Sequence, residues 1–260
     1  MPTLRLSKEP DLTWLILDSP PVQALDSAAL RELNRLLDDF VADPPRLLAI
    51  TGTGRRYFSA GADVRTIKDF TPHEVAAYNT QFQRTLMRLP ELPMAVVAVL
   101  NGDALGGGFE MALACDFRIA ANHVRMGLPE GKLGLLPCGG GTVRLPLLGG
   151  DAIARELMLT GRLLPASEAL ARGLLTRVVP EAELPQAVRS LAEEMAKVAP
   201  AAVYAAKKAL ARQQMARSMQ GLYAEYDEAI WLATHEEYRE GIRALLAREN
   251  PRFRMIREFL

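Results

Sequence analysis

Apolar positions along the 260-residue chain change period from segment to segment, and the changes predict its elements. Residues 3–7 and 12–17 alternate apolar and polar side chains, which predicts two strands with a turn at Pro10-Asp11. Residues 27–41 repeat apolar side chains at helical spacing, an amphipathic helix with Asp26 or Ser27 as its cap. Residues 47–51 and 94–100 are short apolar runs, the pattern of strands buried on both faces. Between them Asp63 opens a helical segment, and a longer helix is predicted from about residue 72 to 89. A glycine turn after Leu100 leads into a helix that carries Glu110, and residues 117–120 form another strand. Strands separated by helices at this spacing predict an α/β core with parallel-type strands.

From residue 152 the pattern becomes almost wholly helical: 152–160, 166–172, 183–198, 201–215 and 220–248, with Pro200 and Pro251 as punctuation. Leu222, Tyr226, Ile230, Leu232, Tyr238, Ile242 and Leu245 recur at helical spacing. That stripe is longer than a peripheral helix pair needs, so part of it is expected between subunits. The chain is accordingly divided into an α/β core, 1–199, and a helical oligomerisation region, 200–260.

Composition narrows the function classes. Lysine plus arginine equals aspartate plus glutamate, so nothing favours nucleic acid or an anionic membrane as partner. Cys115 and Cys138 form no CxxC pair, which argues against a disulfide framework or a zinc site and fits a reducing, cytoplasmic setting. The first residues lack the features of a signal or transit peptide, and no apolar run is long enough to span a membrane. His73, His123 and His235 read as surface or capping residues. Lys207-Lys208 and Arg252-Phe253-Arg254 read as solvated charges.

The chemistry concentrates in three segments. In Asn101 to Asp116, NGDALGGGFEMALACD, three glycines precede a helix whose first turn holds Glu110. Glycine permits close backbone approach, and a helix start leaves N–H groups without partners beside a partial positive charge. Phe58 to Asp63, FSAGAD, is a second small-residue turn between a strand and a helix. Gly127 to Thr142, GLPEGKLGLLPCGGGT, supplies Glu130 and another glycine cluster. Two such turns at neighbouring strand ends can aim two N–H groups at one thioester oxygen. Glu110 and Glu130 could then flank the same carbon framework and hold a water between them. Taken singly, each segment is an ordinary loop; together they point to a carbonyl site.

In order and spacing these three segments resemble the signature segments of the crotonase (enoyl-CoA hydratase/isomerase) family. Pro20 to Leu25, PPVQAL, residues 159–180 and residues 235–253 resemble further landmarks, so the likeness spans the chain. The resemblance implies an α/β fold, a crotonase-like spiral of ββα units with a helical C-terminal oligomerisation region. It implies a cofactor-free hydro-lyase acting on an acyl-CoA thioester, assembled as a homotrimer or a homohexamer of two trimers. Ala62 and Gly107 fall where the family places its oxyanion-hole N–H groups, and Glu110 and Glu130 where hydratases keep their catalytic pair. Substrate contacts are implied for Ala24, Ala62, Asp63, Val64, Arg65 and Gly107. Side chains of the 66–90 segment, among them Ile67, Phe70, Tyr78 and Phe82, are expected to set acyl preference. Isomerisation is the alternative within the family, although retention of both glutamates favours hydration. A non-catalytic acyl-CoA- or RNA-binding relative is the alternative of another class, and neutral charge counts against the RNA form.

The chain departs from the family pattern at three places. Gln23 replaces an asparagine, which puts the local turn in question. Phe109 takes the place of a small residue and is expected to reshape the acyl pocket. Cys138 replaces a glycine; with no histidine near it in sequence, it reads as a small packing residue rather than a nucleophile.

Overall fold

The computed structural model describes residues 3–253, giving the backbone alone for 213–218. Two sheets carry the fold. The larger has six strands in the order β1 (Leu4–Glu9), β2 (Leu12–Leu17), β3 (Leu47–Gly52), β5 (Ala95–Leu100), β7 (Phe117–Ala121) and β10 (Arg177–Val179). Only β1 and β2 pair antiparallel within it; β2 through β10 run parallel. The edge strand β1 is exposed over most of its length, whereas central β5 (AVVAVL) is buried at every position and reads as an unbroken apolar run. The smaller sheet contains β4 (Tyr57–Ser59), β6 (Asp103–Leu105), β8 (Arg125–Gly127) and β9 (Leu164–Pro165).

The chain visits the sheets in turn. β3 then β4, β5 then β6, and β7 then β8 each place one strand in the large sheet and the next in the small one. A helical segment follows each pair: α2 (Val64–Ile67) with α3 (Pro72–Arg88), α4 (Gly107–Ala114), and the 3-10 turn Pro129–Leu133 with α5 (Gly141–Gly149). This is the spiral of ββα units implied by the resemblance. Its consequence is spatial. Because β4, β6 and β8 lie side by side and parallel, the three loops leaving their ends are neighbours, and these loops are the three glycine-rich segments.

Helix α1 (Ser27–Ala42) is capped by the Asp26 side chain, which accepts from Ala29 N at 2.8 Å. Its buried leucines pack beneath the large sheet. Helix α3 begins with a capping box in which Thr71 and Glu74 exchange side-chain to backbone hydrogen bonds. The remaining helices are α6 (Asp151–Thr160), α7 (Ala166–Ala171), α8 (Leu184–Ala196), α9 (Pro200–Ala233) and α10 (Glu236–Ala247). Among the described residues no helix is long and apolar enough to cross a membrane.

Three expectations differ from the structure. β4, β6, β8 and β9 have two or three residues each, too few for a period to show, and they lie inside or beside segments read as turns. The expected break between helices at 216–219 is absent: α9 runs on to Ala233, and α10 starts after Thr234-His235. Gly221 lies inside α9, as expected, where a Cβ would meet Val143 Cγ2 at 2.8 Å, so it serves close helix packing. Lys207 is not solvated. It is buried on α9, and its ammonium donates to Asp116 at 2.5 Å and to the Met94 and Leu89 carbonyls. Lys208 beside it is exposed, as expected, and Arg254 lies outside the described residues.

Candidate active site

The turn after β4 is fixed by the segment 22–25. Ser59 Oγ donates to the Gln23 carbonyl at 2.8 Å and accepts from Gly61 N at 3.0 Å. Ala60 N donates to Val22 O, and Leu25 N to Gly61 O. Gln23 itself adopts a left-handed φ of 55°, with its amide spanning Ser19 N and Thr53 O, so it holds the turn that its departure from asparagine put in question. Gly61 has φ 80°. A Cβ on it would come within 2.6 Å of Gly107 N, so the two glycine turns touch backbone to backbone.

Gly106, φ 52°, ends β6 and caps α4, and its N–H donates to Gly127 O at 2.9 Å. At the far end of α4 the buried Arg118 guanidinium donates to the Ala112 and Cys115 carbonyls, closing the short helix. Among the described residues, neither the Ala62 nor the Gly107 N–H has an acceptor. The turn's glycine-type dihedral belongs to Gly106, not to Gly107. What excludes a side chain at Gly107 is crowding: its Cβ would lie 2.7 Å from Phe82 Cζ and 3.2 Å from Gly61 Cα.

Glu110 is 1% exposed in the first turn of α4. Its Oε1 accepts from Gly139 N and Gly141 N, both at 2.7 Å. Burial, followed by the negative charges of Glu225 and Glu130, pushes its carboxyl well above the usual range; the two amides pull the other way. Glu130 stands in the 3-10 turn after β8. As a residue it is half-buried, yet its Oε2 is sealed from solvent and has no partner among the described residues. Its Oε1 lies 2.9 Å from where a Cβ on Gly106 would sit, which puts it beside the glycine turn. Burial raises its carboxyl to about 8.

A cavity of about 680 Å³ opens onto these groups. Ala62, Asp63, Val64, Arg65, Gly107, Glu110 and Glu130 all line it, as do Ile67, Phe70, Tyr78 and Phe82 of the 66–90 segment. Tyr78 and Phe82 stack with centroids 6.0 Å apart, and the Tyr78 hydroxyl donates to Leu25 O at 2.7 Å. Ala24 is not part of the lining. It is buried behind the turn, and Pro21 and Val22 reach the cavity in its place. Phe109 does not shape the cavity either: it is fully buried in the core, because α4 turns that face towards the sheets. Cys138 does line it, and burial together with Glu225, Glu110 and Glu130 pushes its thiol up, against nucleophilic use. The histidines lie elsewhere; none lines this cavity.

One buried carboxylate next to the site escaped sequence reasoning. Glu225, 2% exposed on α9, accepts from Gly140 N at 2.7 Å and Thr142 N at 3.1 Å, and from the Thr142 hydroxyl. Its signal was a carboxylate on a helix face otherwise buried through Leu222, Ala229 and Ala233.

A family model for enoyl-CoA hydratase/isomerase matches residues 10–255. A carnitinyl-CoA dehydratase from Escherichia coli strain K12 is 37% identical over 214 residues, 79% of this chain and 79% of that protein. The crystal structure of an enoyl-CoA hydratase from Bacillus anthracis aligns with TM-score 0.78 at 32% identity, covering 96% of this chain and 98% of the other. An enoyl-CoA hydratase from Mycobacterium avium subsp. paratuberculosis K-10 gives TM-score 0.86 at 26% identity, covering 97% and 99%.

Proposed function

The chain belongs to the crotonase (enoyl-CoA hydratase/isomerase) family, and from that premise we propose that it adds water reversibly across the double bond of a 2-enoyl-CoA. The observation that carries this reading is the pairing of two N–H groups without acceptors, from separate loops, with two buried carboxylates on one cavity. The Ala62 and Gly107 amides hold the thioester oxygen and stabilise it as it becomes enolate-like. One such donor contributes roughly 3 kcal/mol of transition-state stabilisation.

The two carboxylates take different roles because their partners differ. Glu110 accepts two amide N–H donors, which oppose the burial that raises its carboxyl and fix its Oε1, so we assign its free Oε2 as the base. Glu130, raised to about 8 with an unpartnered oxygen, keeps its proton at neutral pH and serves as the acid. A water held between them gives one proton to Glu110 while its oxygen bonds to C3. The π electrons move onto the thioester oxygen as an enolate, and Glu130 then protonates C2. Return of the proton from Glu110 to Glu130 restores the site. The run of Ile67, Phe70, Tyr78 and Phe82 along the cavity favours an aliphatic acyl group.

Loss of the enone absorbance of crotonyl-CoA, and of longer 2-enoyl-CoA thioesters, tests the proposal. Hydration that depends on both Glu110 and Glu130 supports it. Absence of hydration with every ester, or turnover that survives Glu110→Gln and Glu130→Gln, overturns it. Dependence on one glutamate alone, with the double bond migrating, would indicate isomerisation.

A further inference from the structure

We propose that Glu225 is a positioning residue for Glu110, holding from the opposite side the amide strip that fixes Glu110's carboxylate. The role rests on the hydratase reading above. Residues Gly139 to Thr142 form the strip, and their N–H groups alternate. Gly139 and Gly141 donate to Glu110 Oε1; Gly140 and Thr142 donate to Oε1 and Oε2 of Glu225. Each carboxylate therefore has every second amide of one four-residue segment, and neither can shift without dragging the other's donors. The Thr142 hydroxyl adds a third donor to Glu225, and the Arg144 guanidinium anchors the Gly139 carbonyl.

Two further observations separate this from ordinary helix capping. The strip is the start of α5, whose N-terminal N–H groups a serine or threonine side chain would satisfy at little cost. Here the partner is a carboxylate from the middle of a helix 85 residues away, buried close to two other carboxylates. Burying one more carboxylate there is expensive even with the Arg144 guanidinium close by. It is intelligible where the strip must resist displacement. The strip also has no slack: a Cβ at Gly139 would lie 2.9 Å from Glu110 Oε2, at Gly141 2.8 Å from Oε1, and at Gly140 within 2.2 Å of the Arg144 guanidinium. With Oε1 held by two amides, Oε2 is the oxygen left to take the water's proton. Helix α9 thereby enters the chemistry although Glu225 is absent from the cavity lining.

Turnover of 2-enoyl-CoA and residue-resolved amide exchange, measured on wild type, Glu225→Ala and Glu225→Gln, test the proposal. Loss of the tether lets Glu110 drift. A misplacement of about 1 Å costs about 100-fold, so kcat of Glu225→Ala should fall about 100-fold with KM within about threefold. Glu225→Gln retains one carbonyl acceptor and should recover part of the loss. The Gly139 and Gly141 amides, whose acceptor is Glu110, should exchange about tenfold faster in Glu225→Ala, while amides of the large sheet keep their protection. Unchanged exchange at Gly139 and Gly141 overturns the proposal whatever happens to turnover, and so does a rise across the whole chain. If wild type hydrates no 2-enoyl-CoA, the hydratase reading fails, and exchange at these two glycines still decides whether Glu225 governs Glu110. Wild-type turnover that survives in Glu225→Ala sinks the positioning role alone.

Discussion

Replacing Glu130 by glutamine should stabilise the protein at high pH and destabilise it by about 1–3 kcal/mol at low pH. In the folded state the Glu130 carboxyl is raised from its ordinary 4.5 to about 8 by burial. Between those values the native state binds more protons than the unfolded chain, so stability falls as pH rises and the loss is complete above about 8. Below 4.5 both states hold the proton and nothing is lost. A rise from 4.5 to about 8 corresponds to about 5 kcal/mol of stability withheld at alkaline pH. Glutamine cannot ionise, but its amide inherits the site where Oε2 has no partner, at a cost of about 1–3 kcal/mol. The net gain is about 2–4 kcal/mol at pH 9, a Tm increase of roughly 5–10 °C for a chain of this size. Thermal unfolding followed by circular dichroism from pH 5 to 9 measures it. Curves for wild type and Glu130→Gln should cross between about pH 5 and 7, with the variant less stable below the crossing and more stable above it. If the two stay parallel across that range, Glu130 titrates as an exposed carboxyl, and its role as a proton donor at neutral pH loses its physical basis.

Gly107→Val should reduce hydration at least about 100-fold while the far-ultraviolet spectrum is retained, because its Cβ would displace Phe82 and the Gly61 turn; wild-type turnover would refute this. Lys207→Met should lower stability by about 1–3 kcal/mol by leaving the half-buried Asp116 carboxylate without its counter-charge, and an unchanged Tm would show the ion pair to be dispensable. Tyr204, Leu210 and Tyr223 on α9 and Leu245 and Leu246 on α10 are exposed, so light scattering at micromolar concentration should give a trimeric or hexameric mass. A monomeric mass would remove the assembly expectation.

The site was legible where chemistry depends on local sequence. Glycines that allow close approach are visible as letters, and Glu110 and Glu130 stand inside the segments that bear them. The long strands and α1, with its Asp26 cap, showed through their periods. What stayed hidden depends on tertiary packing. The break expected at 216–219 does not exist, because α9 is held through it by packing against elements distant in sequence, Gly221 against Val143 among them. Phe109 looked like a pocket residue until the facing of α4 was known. Lys207 read as a solvated charge and Glu225 carried no local signal of a role, yet their partners, Asp116 and the Gly140 and Thr142 amides, lie 83 to 91 residues away. No local pattern reports a partner at that separation.

The most direct test of the site is a crystal structure of Glu110→Gln with crotonyl-CoA bound. The thioester oxygen should lie within about 3 Å of both the Ala62 and the Gly107 nitrogen, with C2 facing Glu130 and the acyl group directed towards Tyr78 and Phe82. A thioester oxygen bound away from these two amides, or an acyl chain outside the cavity they share with Glu130, would contradict the assignment.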